Sequence, residues 1–295
     1  MDNPLVSIIT PSFQQASFIQ ETIQSVLSQD YPALEHIVVD GGSTDGTVAI
    51  LQKYEFYGNK FRWVSEKDRG QSHALNKGLA MARGEIIGWL NSDDTYEPHA
   101  VSRAVQALQS NPNWGVVYGD GNYIDAHSAF LRSYPVRPFG LERLYRACII
   151  CQPAAFIRRE VFEKVGPFDE SLQFCMDYDM WMRICKHYEF GYMDVVLANS
   201  RIHAGSKSIT KYVDIGLPEV FRASIKNFGS VSNMWLLEWI SFHLHLEPAL
   251  IVQSLKQMNA IDDISESSLY QLLADDPVAI IDWLEEHRKT APKWT

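Results

Sequence analysis

The residues best suited to chemistry in this chain are carboxylates that follow short apolar runs. Asn91-Ser92-Asp93-Asp94 closes an apolar run that begins at Ile86. Adjacent hard oxygen ligands at the end of a strand suit Mg2+ or Mn2+, which keep positions open for substrate phosphates. The metal would then neutralise charge on a departing phosphate group. The same four residues also make an ordinary loop. Asp40 follows Ile37-Val38-Val39 and precedes Gly41-Gly42, where the missing side chains let a planar base or a ribose approach the backbone. Its other reading is an Asx-turn or a helix cap, a part that Asp45 fits better. Asp177 and Asp179 stand two apart, on one face of a strand or about 200° apart on a helix. His203 has Arg201 before it and Gly205-Ser206-Lys207 after it. It is either a hydrogen-bonded structural group or part of a flexible basic loop over an anion.

Regular elements must bring these residues together. Residues 5–10 (Leu-Val-Ser-Ile-Ile-Thr) read as a short buried strand. Ser17-Phe18-Ile19-Gln20 fits a capping box, and Ile19, Ile23, Val26 and Leu27 form the apolar stripe of the helix it opens. Further strands are expected at 35–40, 61–65 and 86–91. Helices are expected near 47–54 and along Ala74, Leu75, Gly78, Leu79 and Ala82. This alternation implies right-handed crossovers and a mainly parallel sheet flanked by helices. Ligands of such sheets sit beyond the carboxyl ends of the strands. The loops at Thr10-Pro11, Asp40 and 91–94 should therefore converge on one cleft.

The middle of the chain is less regular, with a helix at 98–108, strands at 115–118, 154–158 and 195–202, and an irregular stretch at 135–146. Beyond Gly216 the pattern turns helical. Trp235, Leu236, Trp239, Ile240 and Leu244 suggest one apolar face, and 266–289 reads as a helical, acidic segment. The expected organisation is an α/β domain over 1–212, with halves at 1–100 and 101–212, and a helical C-terminal extension over 213–295.

Composition narrows the partners. With 26 Lys and Arg against 36 Asp and Glu, the net charge is −10. An acidic surface repels phosphate backbones, so nucleic acid is not an expected partner. The sequence has no Gly-x-Gly-x-x-Gly after the first strand, no Walker loop, no His-Glu-x-x-His and no Gly-x-Ser-x-Gly. Dinucleotide oxidoreductases, P-loop phosphotransferases and serine hydrolases thereby lose their best support. Met1-Asp2-Asn3-Pro4 lacks a basic region and 5–10 is too short for a signal or spanning helix, so a cytoplasmic protein is expected. Cys148, Cys151, Cys175 and Cys185 include one Cys-x-x-Cys pair. Reduced thiols are expected, because a zinc site would need a second close pair. The aromatic stretch 235–246 would lie on a membrane near a lipid-linked acceptor, pack on the α/β domain, or meet a second copy in a homodimer. The absence of Lys and Arg across 232–246 favours packing over an anionic membrane.

The motifs also fall in a recognisable order. They run Val-Ser-Ile-Ile-Thr-Pro to Pro11, Val-Val-Asp-Gly-Gly-Ser-Thr-Asp-Gly-Thr at 38–47, Asp68-Arg69-Gly70-Gln71-Ser72-His73-Ala74-Leu75-Asn76-Lys77-Gly78, and Trp-Leu-Asn-Ser-Asp-Asp at 89–94. Cys151-Gln152-Pro153, Val165-Gly166-Pro167-Phe168-Asp169-Glu170, Met176-Asp177-Tyr178-Asp179-Met180-Trp181 and Arg201-Ile202-His203 follow. Over about residues 4–210 the chain resembles family-2 glycosyltransferases, inverting enzymes of the GT-A fold that use nucleotide-sugar donors.

The resemblance implies a role for each matching residue. Thr10, Pro11 and Asp40 would contact the nucleoside, with Arg69 beside Asp40, and Asp93 would serve ribose and diphosphate. Asp93, Asp94 and His203 would hold Mn2+ or Mg2+. Asp177 would be the catalytic base, removing a proton from an acceptor hydroxyl as it attacks the anomeric carbon. Gln152, Asp179 and Lys207 would lie on the acceptor or diphosphate side. The departures are Asn91, which keeps an oxygen ligand but drops a charge from Asp-x-Asp, and Met176, which replaces the acid usually preceding the base. The implied reaction moves a sugar, from a UDP-sugar by preference, to a glycan or lipid-linked acceptor in making an envelope polysaccharide, at the inner face of the membrane. Other readings are a GT-A nucleotidyltransferase, which would want a glycine-rich basic loop where Pro11-Ser12-Phe13-Gln14 stands, and a non-catalytic nucleotide-sugar binding module.

Overall fold

A computed structural model of the chain describes residues 3–244; the acidic segment at 266–289 lies outside them. The first half builds the parallel part of the sheet from β1 (Val6–Ser12), β2 (Leu34–Asp40), β3 (Phe61–Ser65) and β4 (Ile86–Trp89). β1, β2 and β4 are buried throughout, as strands covered on both faces must be. Several of their polar residues are paired inside, while the buried Ser12 hydroxyl has no partner among the described residues. Glu35 accepts from Ser7 and Arg83, and His36 bonds Thr10 at 2.9 Å. β1 lies between β2 and β4, and β3 pairs with the far side of β2. The register sets Ser12 beside Asp40 and Asp40 beside Ser65, a row of polar residues along the carboxyl edge.

Three helices make the crossovers: α1 (Ile19–Leu27), α2 (Thr47–Gln52) and α3 (Gln71–Met81). α3 approaches β1 closely at Gly78, where a Cβ would lie 2.3 Å from the Ile9 methyl. The expected capping box does not form. α1 starts at Ile19 with Phe18 as its cap residue and no side-chain cap. The Gln15 carbonyl takes the N–H groups of Phe18 and Ile19 instead. That turn is fixed from outside, because Asp45 and Thr47 accept the N–H groups of Ala16 and Gln15.

The second half comprises β5 (Thr95–Tyr96), α4 (Ala100–Ser110), β6 (Trp114–Ile124), β7 (Phe130–Ser133), α5 (Leu141–Arg146), β8 (Ala155–Arg158), α6 (Arg159–Val165), α7 (Met176–Ile184) and β9 (Glu189–Arg201). The strand order is β3-β2-β1-β4-β8-β6-β9-β5, with β7 off β6. The sheet is parallel in its first half and mixed in its second. β8 runs antiparallel between β4 and β6, whereas β6 and β9 are parallel. This antiparallel insertion keeps one continuous sheet while carrying the chain to a second group of loops.

α8 (Lys207–Thr210), α9 (Leu217–Phe228) and α10 (Asn233–Leu244) follow. Leu217, Val220, Ala223, Trp235, Leu236 and Trp239 belong to the same hydrophobic cluster as β4, β6 and α7. Within the described residues, then, no break in packing marks a boundary at 212. Trp235, Leu236 and Trp239 of α10 pack on the α/β domain, and the Trp235 indole donates to the Tyr178 hydroxyl at 3.1 Å. Among the described residues no helix is long and apolar enough to cross a membrane.

Candidate active site

The carboxyl edge of β1–β4 gathers the first group of residues. Asp40 is fully buried, and its carboxylate accepts from the N–H groups of Gly42 and Ser43 and from the hydroxyls of Ser43 and Ser65. It therefore shapes the Gly41–Ser43 turn, an Asx-turn of the kind weighed above. Thr10 and Pro11 are buried within β1, and the Thr10 hydroxyl is spent on His36. The next residue that opens to solvent is Phe13, 60% exposed. Gly41 leaves the gap between Phe13 and Asp68 open: a Cβ there would lie 2.7 Å from Asp68 Oδ2. Arg69 is 67% exposed and pairs with Glu170, and Asp68 is the charged group over Gly41.

The loop after β4 turns on Asn91. Its oxygen accepts from the Gln71 amide and the Trp89 indole, each at 2.8 Å. Its amide donates to Asp94 Oδ2 and to Gln152 Oε1. Asn91 is thus a hydrogen-bond hub, and its oxygen is not free for a metal. Gln152 completes the hub by donating to the Trp89 carbonyl at 2.6 Å. Both ends of this side chain are occupied, so it positions the loop rather than facing an acceptor.

Asp93 and Asp94 part company. Asp94 is 2% exposed and accepts the Arg201 N–H at 2.8 Å as well as the Asn91 amide. Burial, then the neighbouring Asp93 charge, push its carboxyl well above the usual range. Asp93 instead reaches His203 Nε2 at 3.1 Å, both side chains partly exposed. The expected trio of ligands is therefore a pair, and among the described residues no three metal-ligating groups converge. An imidazole and a carboxylate side by side fit a divalent cation that takes its remaining ligands from water and phosphate.

Arg201 holds this corner together. Its guanidinium is fully buried and donates to the Asp93 carbonyl, the Asp125 carbonyl, the Ser128 hydroxyl and Glu21. Phe18 lies under both Arg201 and His203, 4.6 Å from the imidazole. The sequence marked Arg201 only as a neighbour of His203. Lys207 donates to Gln71 Oε1 at 2.9 Å and to the Gln173 carbonyl at 3.1 Å, bridging α3 to the approach of α7. Desolvation lowers its pKa, against the opposing pull of Glu219, Asp68 and Asp93.

Asp177 opens α7 from the other side. Burial pushes its carboxyl up to about 6 from 3.8, with the Tyr178 N–H opposing. The helix resolves the question of Asp179, which turns to the opposite face. Asp179 is wholly buried, paired with Arg183 at 2.8 Å and accepting from Asn227 at 3.0 Å. It pins α7 to α9 and has no part in the cleft. Glu219, on α9, carries a role that no sequence motif announced. Its buried carboxylate accepts the N–H groups of Gln173, Phe174 and Cys175, the turn that leads into Asp177. A glutamate spaced to face inward on an amphipathic helix is the only signal that could have found it.

The four cysteines are free thiols. Burial, then the Asp94 charge, and more weakly those of Asp120 and Asp177, push the Cys151 thiol well up. Such raised thiols are poor nucleophiles.

A mixed sheet with a parallel first half, a carboxylate–histidine pair after β4 and a half-buried carboxylate heading a facing helix is the layout of a GT-A glycosyltransferase. Structures of that fold superpose on it. TarS of S. aureus in complex with UDP-GlcNAc gives a TM-score of 0.62 at 18% identity, over 83% of this chain and 74% of that one. The mannosyltransferase PcManGT from Pyrobaculum calidifontis, in complex with GDP-Man and Mn2+, gives 0.63 at 23% identity, over 95% and 81%. The chain belongs to glycosyl transferase family 2, whose family model matches residues 7–166. An uncharacterised glycosyltransferase of Rickettsia prowazekii is 33% identical over 223 residues, 70% of this chain and 67% of that protein. A chondroitin synthase of Escherichia coli is 28% identical over 208 residues, 70% of this chain and 30% of that protein. The chain spans as little as 32% of the length of the Rickettsia relatives it matches, as with that of Rickettsia bellii.

Proposed function

We propose that the chain is an inverting glycosyltransferase that moves a sugar from a nucleoside-diphosphate donor, UDP-linked by preference, to an acceptor hydroxyl in the building of a polysaccharide. The observation that carries this is Asp177, a half-buried carboxylate in the first turn of α7, lifted by desolvation to a pKa of about 6. A carboxylate there accepts the acceptor's proton as the hydroxyl attacks. A pKa near neutrality improves proton transfer without leaving the group protonated at pH 7–8. The donor's base and ribose would lie along Phe13, Gly41 and Asp68, with Asp40 holding the turn beneath them.

Asp93 and His203 would hold Mn2+ or Mg2+, and Lys207 supplies a cation on the same side of the cleft. When bound, the ion supplies charge neutralisation at the leaving diphosphate. The neighbour solved with GDP-Man and Mn2+ supports this assignment, and the synthase relatives support a glycan product. Asp94, Asn91 and Gln152 orient the loop on which Asp93 stands. A lipid-linked glycan and a free glycan are both accommodated by this chemistry.

The test uses the full chain with UDP- and GDP-sugars and Mn2+. Release of the nucleoside diphosphate with an inverted anomeric centre in the product, read by proton NMR, is the expected result. A retained configuration, or no nucleotide release and no rise in melting point with any donor, would sink it.

A further inference from the structure

The backbone just before α7 is gathered on one side chain. α7 begins at Met176 with Cys175 as its cap residue and no side-chain cap. The N–H groups of Gln173, Phe174 and Cys175 instead converge on the Glu219 carboxylate at 2.8, 2.8 and 3.2 Å. Glu219 stands in the first turn of α9 and is 2% exposed. Its ion-pair partner among the described residues is Arg222, 3.8 Å away, whose side chain is 67% exposed. A buried carboxylate is costly unless hydrogen-bond donors replace its water. Here successive backbone N–H groups form a nest that does so, and the start of α9 adds a favourable field.

The carbonyl side of the same turn is held from α3 and α8. Lys207 Nζ donates to the Gln173 carbonyl at 3.1 Å and to Gln71 Oε1 at 2.9 Å. The Ser72 hydroxyl donates to the Leu172 carbonyl at 2.9 Å. Gly70 makes room for the Gln173 side chain, since a Cβ there would lie 2.9 Å from its Oε1. Gln71 in turn donates to Asn91 in the β4 loop. Residues 172–175 are therefore clamped between α9 and the helix that touches that loop. The clamp reaches Asp177 through the first turn of α7, where the Asp179 N–H bonds the Cys175 carbonyl at 3.0 Å. α7 has other fastenings to α9, because Asp179 accepts from Asn227 at 3.0 Å. What Glu219 adds is the path of residues 173–175, and with it the place at which α7 starts.

We propose that Glu219 is a positioning residue for Asp177: by gripping the three N–H groups before α7, it fixes where the base stands relative to α3 and the β4 loop. Lys207 and Ser72 hold the opposite side of the same turn. The inference rests on Asp177 as the base, and it names the group that holds the base in place.

Two substitutions separate reach from charge. Glu219→Asp keeps the charge but falls one methylene short of the three N–H groups. Glu219→Gln keeps the reach and an oxygen acceptor without the charge. One readout is the titration midpoint of the Asp177 carboxyl, followed by carbon NMR on the full chain with labelled aspartate and assigned by the signal missing from Asp177→Asn. The other is nucleotide release from UDP- and GDP-sugars with Mn2+. The wild-type midpoint should lie at about 6. Glu219→Asp should admit water to the start of α7 and lower the midpoint by about one unit. Turnover should fall about a hundredfold, the cost of a displacement of about 1 Å. Glu219→Gln should do less on both counts. Asn227→Ala, which loosens α7 from α9 elsewhere, should lower the melting point and leave both readouts near the wild type. No effect of Glu219→Asp, or a larger effect of Glu219→Gln, overturns the proposal. So does an equal effect of Asn227→Ala, which would mean general loosening. Amide exchange on the wild type alone covers a variant that does not fold. The N–H groups of Gln173, Phe174 and Cys175 should exchange as slowly as those within α7, and rapid exchange overturns the proposal. Wild-type turnover by Asp177→Asn would instead remove Asp177 as the base whatever Glu219 does, so the two failures are told apart.

Discussion

Replacing Asp177 with Asn should make the protein more stable and inactive at once. Burial lifts the Asp177 carboxyl from 3.8 to about 6. The folded protein therefore binds this proton more tightly than the unfolded chain does. Asp177 accordingly does no harm to folding below pH 3.8, and works against it increasingly as pH rises from there to about 6. Above that window the difference of about two pKa units corresponds to about 3 kcal/mol. Asparagine has no charge to desolvate, but its amide brings hydrogen-bonding groups that the site satisfies only in part, a loss of about 1–2 kcal/mol. The net gain at pH 8 is about 1–2 kcal/mol, or a melting point higher by about 3–6 °C. At pH 4 the wild-type penalty falls to about half a kcal/mol, so the advantage should disappear. Losing a general base lowers turnover by about a hundredfold or more. Urea melts of both proteins at pH 8 and pH 4, beside nucleotide release in the presence of acceptor, check each part. A variant no more stable relative to wild type at pH 8 than at pH 4 would show that Asp177 is not held ionised against its surroundings. Turnover within tenfold of wild type would show that it is not the base.

Other substitutions separate binding from architecture. Asp93→Ala should abolish the rise in melting point produced by UDP with Mn2+ while changing the unliganded melting point little. Asp94→Ala should instead lower the unliganded melting point by about 1–3 kcal/mol in equivalent stability, because it strands the buried Arg201 N–H. Asn91→Asp restores an acid to the motif but sets a carboxylate against Asp94 and removes the donor to Gln152, so a less stable protein with no gain in Mn2+ affinity is expected from calorimetry. Arg201→Met removes a buried cation bonded to four groups, and denaturation should register a loss of about 3–5 kcal/mol as Glu21 and two carbonyls lose their partner.

The first half of the sheet was legible in the sequence because local rules govern it. Strands buried on both faces advertise themselves as apolar runs, and Phe61–Ser65 coincides with its expected span. The row Ser12, Asp40 and Ser65 follows from their position at the ends of neighbouring parallel strands. What long-range packing decides was out of reach. The antiparallel β8, the exposed β7 and the helix at Leu141–Arg146 carry weak periodicity, and their partners lie far away in the chain. Among the site residues, acidic character was legible and availability was not. Asp40, Asp94 and Asp179 look like ligands in the sequence, but buried donors claim each carboxylate. Only the fold could turn Asp179 away from Asp177, and only the fold could bring Glu219 to the turn before it.

Arg201 ties together more than the corner at Asp93 and His203. Through one guanidinium, the Asp93 carbonyl, the first turn of α1 and the β6–β7 turn at Asp125 and Ser128 become neighbours. That turn leads straight into β7 and Arg132. A shift of Asp93 is thus felt in the β6–β7 hairpin, and a rebuilt hairpin is felt at Asp93. Grafting a different hairpin between β6 and β7 would therefore require retuning the β4 loop as well.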